Sequence, residues 1–291
     1  MAPTTTGKTL KLAIPKGRMY EGVVSLLAEA GIQVSQTARN YRPHVSLDHG
    51  EVKILKPQNI VEMLHAGSRD LGFAGADWVA ELDGELVELL DTGLDPVRVV
   101  AAAPPLLLND GELPTRRLVV ASEYERLTRA WIAERGLDAQ FVRSYGATEV
   151  FPPEDADLIV DNTATGSTLE ANDLQVVDVL TDSSTRLYAC PRALEDADLR
   201  PQIEDLVLMV DSVLEARRRV MVEVNVSEEK LPALLEVLPC MRQPTVSPLA
   251  GGDGFAVKAA VPFSLLPSVV PQIKAAGGSD IVVTRLAQIV A

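Results

Sequence analysis

Along this chain, short apolar runs alternate with stretches whose apolar residues recur every three or four positions. The run 10–14 is stopped by Pro15. Over 19–30, Val23, Leu26, Leu27 and Ala30 share one side of a helix, and Gly31 stands where a C′ residue is expected. A second run, 52–55, precedes Pro57, which fits N1 of a helix with Ile60, Met63 and Leu64 on one face and Gly67 at its end. The segment DLGFAG (70–75) reads as a third strand, closed by Gly75 and Asp77. Such alternation predicts a parallel or mixed sheet covered by helices.

A new block begins near Asp95. The run 97–103 is a strand, and Pro104, Pro105, Asn109, Asp110, Gly111 and Pro114 mark a long loop. A strand over 118–121 follows, with Ser122 placed to cap a helix that runs through Arg135 and ends at Gly136. Residues 157–160 and 174–180 are further strands, and 181–185 is polar. A long helix is predicted over 201–219, with Ile203, Leu206, Val207, Val210, Val213 and Leu214 inward. The closing Arg217, Arg218 and Arg219 either suit the negative end of its dipole or form a solvated helix end.

The pattern then changes. Val220, Val222, Val224 and Val226 alternate with polar or larger residues, as on a strand with one buried face. A helix over 227–238 carries Leu231, Leu234, Leu235 and Leu238, and Pro232 delays its start. Residues 244–249, the turn GGDG (251–254) and 255–261 read as a hairpin. A second helix over 263–276, weakened by Pro267 and Pro271, ends at Gly277 and Gly278 before a last strand at 281–284. The order βαββαβ is that of a ferredoxin-like domain, a two-layer module that often serves in regulation or pairing. No longer internal repeat is legible.

Composition narrows the choices. A chain of 291 residues exceeds one ordinary core, so two or three domains are expected. Aromatics are only 4%, so aliphatic residues must build the cores. The net charge of −14 disfavours a nucleic-acid or anionic-membrane binder, which needs clustered Lys and Arg. A small anionic ligand remains compatible. Cys190 and Cys240 make neither a disulfide framework nor a zinc site, and His44, His49 and His65 lack metal spacing. The first fifteen residues hold no apolar signal core, and no run approaches the ~20 apolar residues of a membrane span, so the expected location is cytoplasmic.

Candidate chemistry gathers at strand ends. RDLGFAGAD (69–77) and ADLIVDNTATGST (156–168) share a form: an acid, an apolar strand, small residues, then another acid. Ligands in α/β sheets bind at the carboxyl ends of strands. Asp161 stands at such an end, where a carboxylate can accept hydrogen bonds from two adjacent sugar hydroxyls. Thr165, Gly166, Ser167 and Thr168 follow, offering three hydroxyls and exposed N–H groups to a phosphate. Acid and cradle together match a ribose 5-phosphate; the bland alternative is a capped helix after a buried strand. A Walker loop is excluded, because no Lys follows Gly166, and no G-x-G-x-x-G follows the first strand. In AIPKGR (13–18), Lys16 and Arg18 flank Gly17 as either a polyphosphate clamp or a solvated basic turn.

Taken in order, LAIPKGR, DLGFAGADW, RSYGATEVFPP (143–153), ADLIVDNTATGSTLEAN and PTVSPL resemble the long form of the ATP phosphoribosyltransferase family, from about Leu10 to the C-terminus. The resemblance implies transfer of phosphoribosyl from phosphoribosyl pyrophosphate to N1 of ATP, with Mg²⁺, as the first step of histidine biosynthesis. It implies a two-lobed catalytic part like the periplasmic binding proteins, divided as 1–94 with 183–215 and 95–182. It also implies a histidine-binding regulatory domain over 216–291 and a homo-hexamer. Asp161 and Thr165, Gly166, Ser167 and Thr168 then resemble the phosphoribosyl loop, and Lys16 and Arg18 the contacts to phosphates. Glu149 resembles a cleft carboxylate near the sugar or adenine, which with Asp161 and Lys16 makes the catalytic set. Lys56, where relatives often carry arginine, Asp77 and Asp95 are the further ATP candidates. Asn225, Thr245, Ser247 and Asp280 are the histidine candidates. Asn162 and Ala164 give no reading. Two rivals stand beside this one: a binding protein without chemistry, and a catalytically silent regulatory subunit.

Overall fold

Each apolar run becomes a strand because its residues can be buried on one or both faces of a sheet. The computed structural model describes residues 7–35, 41–241 and 243–290. The chain forms two compact units, Met1–Ser25 with Ile32–Glu204 and Leu26–Gly31 with Asp205–Ala291.

The first unit opens with β1 (Leu10–Pro15) and α1 (Met19–Glu29), the last turn of which counts with the second unit. The short pair β2 (Val34–Ser35) and β3 (His44–Val45) follows, then β4 (Gly50–Leu55), α2 (Pro57–His65, with Pro57 at N1), β5 (Leu71–Gly75) and α3 (Ala76–Leu82). Next come the long β6 (Val87–Ala103), β7 (Leu118–Ser122), α4 (Glu125–Glu134), β8 (Ala139–Arg143), β9 (Leu158–Thr163), α5 (Ser167–Ala171), a second long strand β10 (Gln175–Ala189) and α6 (Pro191–Glu195). The main sheet runs β4-β1-β5-β10-β6-β9-β7-β8. Every residue of β5 is buried, the pattern of a parallel strand covered on both faces.

This sheet holds a duplication that the residue pattern does not show. In each half the strands stand second, first, third, with parallel pairing: β4-β1-β5 and β8-β7-β9. Each trio is then closed by a long antiparallel strand, β10 beside β5 and β6 beside β9. β6 and β10 pair with each other along their whole length, with register shifts that include Ser183/Thr185 and Thr185/Arg186. The loops that follow β1, β5, β7 and β9 therefore leave the carboxyl ends of parallel strands.

Several elements differ from expectation. The strand expected at 97–103 begins at Val87, and the apolar run 174–180 and the polar stretch 181–185 are one strand, β10. Residues 183–185 of that stretch are buried because their hydroxyls find partners: Ser183 on Asp77, Ser184 on Asp91 and Thr185 on Asp95. Ser122 does not cap α4. It still belongs to β7, where its hydroxyl donates to the Val160 carbonyl at 2.6 Å and accepts the Tyr124 N–H at 2.8 Å, so the helix starts at Glu125. The edge strand β8 and the short α3 escaped prediction; β8 is nowhere fully buried and lacks a clean alternation.

The chain continues in α7 (Leu199–Arg218), which belongs to the second unit from Asp205 onward. Then follow β11 (Arg219–Val226), α8 (Leu231–Val237), β12 (Thr245–Pro248), β13 (Phe255–Pro262), α9 (Leu266–Ala275) and β14 (Ser279–Arg285). The sheet order β12-β13-β11-β14 is the ferredoxin-like one. Val220, Val222, Val224 and Val226 pack with Leu234, Val257, Val261, Val269 and Ile273 in one core, while Met221, Glu223 and Asn225 face the other side. Among the described residues, no helix is long and apolar enough to cross a membrane.

Candidate active site

β9 ends in Asp161, Asn162 and Thr163, and α5 starts four residues later. Between them the chain must turn sharply. Gly166 supplies the turn with φ +86°, a conformation that costs other residues, and open space meets the position of an added Cβ. The Gly166 N–H donates to Thr163 Oγ1 at 3.0 Å, and the Thr165 and Ser167 hydroxyls lie 3.0 Å apart. The first N–H groups of α5 have no partner within the helix. This loop, Glu149, Asp161 and Arg18 line one pocket of about 400 Å³. All five expected members of the phosphoribosyl loop, Asp161 and Thr165 to Thr168, are brought together there with Arg18 and Glu149.

Asp161 is half-buried. Burial pushes its carboxyl pKa up to about 6, and the charges of Glu123 and Glu149 push the same way. The Asn162 N–H, 2.7 Å from Asp161 Oδ1, and the Thr148 hydroxyl oppose the rise. Glu149 reaches the site on a 3-10 turn, Thr148–Val150, that Ala147 enters with φ +48°. The Thr148 hydroxyl is itself anchored on Ser144 at 2.8 Å.

A smaller pocket of about 60 Å³ adjoins the first through Arg18 and Asn162, and Asp77, Trp78, Asp95, Ser183 and Thr185 help to line it. Asp77 is 5% exposed. Its Oδ1 accepts the Ser183 hydroxyl at 2.7 Å and its Oδ2 the Tyr124 phenol at 2.6 Å, while its N–H donates to Ser183 Oγ at 3.0 Å. At position 75 a Cβ would come within 2.2 Å of Asp77 Oδ1, so a larger residue would have to displace that hydrogen-bonded carboxylate. Asp95, held at φ +47°, accepts the Thr185 hydroxyl at 3.0 Å.

The basic turn is split. Arg18 lines both pockets, whereas Lys16 and Lys56 are exposed and line neither. The Lys16 N–H donates to the Leu55 carbonyl, and Lys56 is the N-cap residue of α2. In the second unit Asn225 on β11 and Ser247 on β12 both stand opposite Ala256 on β13, the strand between them. Asn225 Nδ2 donates to Asp280 Oδ2 at 3.2 Å, which the positive φ of Asp280 brings within reach. Thr245 lines a separate pocket of about 340 Å³ with Met221, Met241, Gln243 and Lys258.

Comparison with known proteins places the chain in a family. A family model described as ATP phosphoribosyltransferase matches residues 56–212, more than half of the chain. The chain belongs to the ATP phosphoribosyltransferase family. The family's C-terminal domain model, HisG C-terminal domain, matches residues 216–288. The ATP phosphoribosyltransferase of Pelotomaculum thermopropionicum is 33% identical over 290 residues, covering 97% of this chain and 99% of the relative. That of Chlorobium chlorochromatii is 32% identical over 279 residues, covering 94% and 95%. Among solved structures, the ATP phosphoribosyl transferase (HisG:HisZ) complex from Thermotoga maritima aligns at 25% identity and a TM-score of 0.61, over 70% of this chain and 99% of that one.

No role was read from the family resemblance for Tyr124, Trp78, Asn162, Thr163 or Ser183. Trp78 stands in the quoted motif GADW and stacks on Tyr124 with ring centroids 4.6 Å apart. Nothing in the local pattern marks Ser183 or Tyr124, because their partners lie 106 and 47 residues away.

Proposed function

We propose that this chain joins N1 of the adenine of ATP to C1 of phosphoribosyl pyrophosphate and releases pyrophosphate, the first step of histidine biosynthesis. One observation carries the reading: a half-buried carboxylate, Asp161, shares a pocket with the hydroxyls and turn of residues 165–168 and with Arg18. That set matches the two adjacent hydroxyls, the 5-phosphate and the pyrophosphate of one substrate.

The adenine nitrogen is already a nucleophile, so no strong protein base is needed. As the C1–N1 bond forms, the C1–O bond to pyrophosphate breaks, and the leaving group takes the electron pair. C1 becomes electron-poor, and Asp161 with Glu149 offsets that positive character. Arg18, with Lys16 on the same turn, offsets the charge on pyrophosphate. Holding two substrates in line removes on the order of 7–11 kcal/mol of barrier at best. Mg²⁺ would neutralise phosphate charge when bound. That ion would be held chiefly by the substrate's own pyrophosphate. Asp77 and Asp95 line the neighbouring pocket, where we assign part of the ATP contact.

We further propose that residues 216–291 bind histidine as feedback inhibitor through Asn225, Thr245, Ser247 and Asp280. The remaining residues would form catalytic lobes 1–94 with 183–215 and 95–182, in a cytoplasmic homo-hexamer. The test is pyrophosphate release from ATP plus phosphoribosyl pyrophosphate, with each substrate omitted in turn. Release that requires both supports the reading; binding of either without release would return the chain to the class of binding proteins.

A further inference from the structure

The hydrogen bonds around Tyr124 have only one direction. Tyr124 is 0% exposed, and burial, with the charge of Asp77, pushes its phenol pKa well above the usual value, so the oxygen keeps its proton. That proton goes to Asp77 Oδ2 at 2.6 Å. The phenol oxygen then accepts from Asn162 Nδ2 at 2.8 Å. On the far side of Asp77, Oδ1 is held by the Ser183 hydroxyl at 2.7 Å. On the near side, the Asn162 backbone N–H donates to Asp161 Oδ1 at 2.7 Å. An unbroken line thus runs Ser183, Asp77, Tyr124, Asn162, Asp161. It starts on β10 and at the head of α3, passes the end of β7, and finishes on β9. Asn162 lines both pockets, and Tyr124 lines neither.

We propose that Tyr124 is a positioning residue for phosphoribosyl pyrophosphate: through the Asn162 side chain it fixes the peptide that orients the Asp161 carboxylate. The inference rests on the function proposed above. A carboxylate that receives two neighbouring hydroxyls must present a fixed edge to them. Asp161 stands at a strand end, where the chain leaves the sheet for a glycine turn, so its edge depends on how firmly the next peptide is held. Asn162 is exposed, yet its amide is tied to a wholly buried phenol that Asp77 holds in turn. Rigid support of this kind, behind a group that touches substrate, is what preorganises a site.

The experiment is a double-mutant cycle on the full chain, with KM measured separately for the two substrates. Tyr124→Phe keeps the ring that stacks on Trp78 and removes the hydroxyl. Asn162→Leu removes the amide from an exposed position, so it tests the link even where Tyr124→Phe, by depriving buried Asp77 of a donor, lowers stability. Each single variant is expected to raise KM for phosphoribosyl pyrophosphate about tenfold and KM for ATP by much less, since Asn162 and Asp77 also line the pocket assigned to ATP. The double variant should also stand near tenfold, because both changes break one link. Unchanged KM values, equal rises for both substrates, or multiplying effects in the double variant overturn the inference. A wild-type chain that forms no pyrophosphate refutes the proposed function and this inference with it; a working wild type with unaltered variants refutes the inference alone.

Discussion

Asp161→Asn should make the protein more stable while it strongly lowers turnover. The folded chain raises the Asp161 pKa from 3.8 to about 6, first by burial and then through Glu123 and Glu149. At 1.36 kcal/mol for each tenfold in proton affinity, that rise amounts to ~3 kcal/mol held against folding at neutral pH. The sign follows from proton counts. Between 3.8 and about 6 the folded chain binds more protons than the unfolded one, so stability falls as pH rises through that window, and the cost is fully present above it. Asparagine keeps the shape and one acceptor oxygen for the Asn162 N–H but carries no charge. Urea unfolding at about pH 7.5 should therefore show the variant more stable by up to ~3 kcal/mol, with the difference closing towards pH 4. Pyrophosphate release should fall by a factor corresponding to ~3 kcal/mol or more, as for loss of a charge-stabilising contact. A variant no more stable at pH 7.5, or a gain that persists at pH 4, would refute the reasoning.

Other outcomes follow from the same geometry. Glu149→Gln removes one of the charges that raise the Asp161 pKa, so the acid limb of the pH–rate profile, expected near 6 in the wild type, should move to lower pH. Gly166→Val forces a β-branched residue to φ +86° and should cut kcat/KM for phosphoribosyl pyrophosphate at least about tenfold, with thermal unfolding of the second unit unchanged. Thr245→Ala and Asn225→Ala should keep turnover and raise the histidine concentration needed for inhibition at least about fivefold, read from inhibition curves; unchanged curves would remove these residues from the histidine site.

The fold was legible where burial leaves a pattern. The wholly apolar β5 and the strictly alternating β11 both stood where expected, and the order of the last six elements was enough to name a ferredoxin-like unit. The pocket that we propose for the phosphoribosyl group could be read because its residues are local: Asp161 and Thr165 to Thr168 fall within eight consecutive residues and line one pocket. What failed was what depends on distant partners. The hydroxyls of 183–185 read only as a polar stretch because the carboxylates of Asp77, Asp91 and Asp95 that allow their burial lie about ninety to one hundred and six residues earlier. The duplicated halves escaped for a related reason. What repeats is strand order, and each half is completed by a long strand from the other part of the chain.

The bond that is made decides what this enzyme family member does with its two substrates. The wild-type chain should be given ATP, phosphoribosyl pyrophosphate and Mg²⁺, and the nucleotide product characterised by NMR and mass spectrometry. One ribose 5-phosphate attached to N1 of the adenine, formed in equal amount to pyrophosphate and strongly lowered in Asp161→Asn, is the expected result. Pyrophosphate released without an N1-linked product, or an N1-linked product formed equally well by Asp161→Asn, would contradict it.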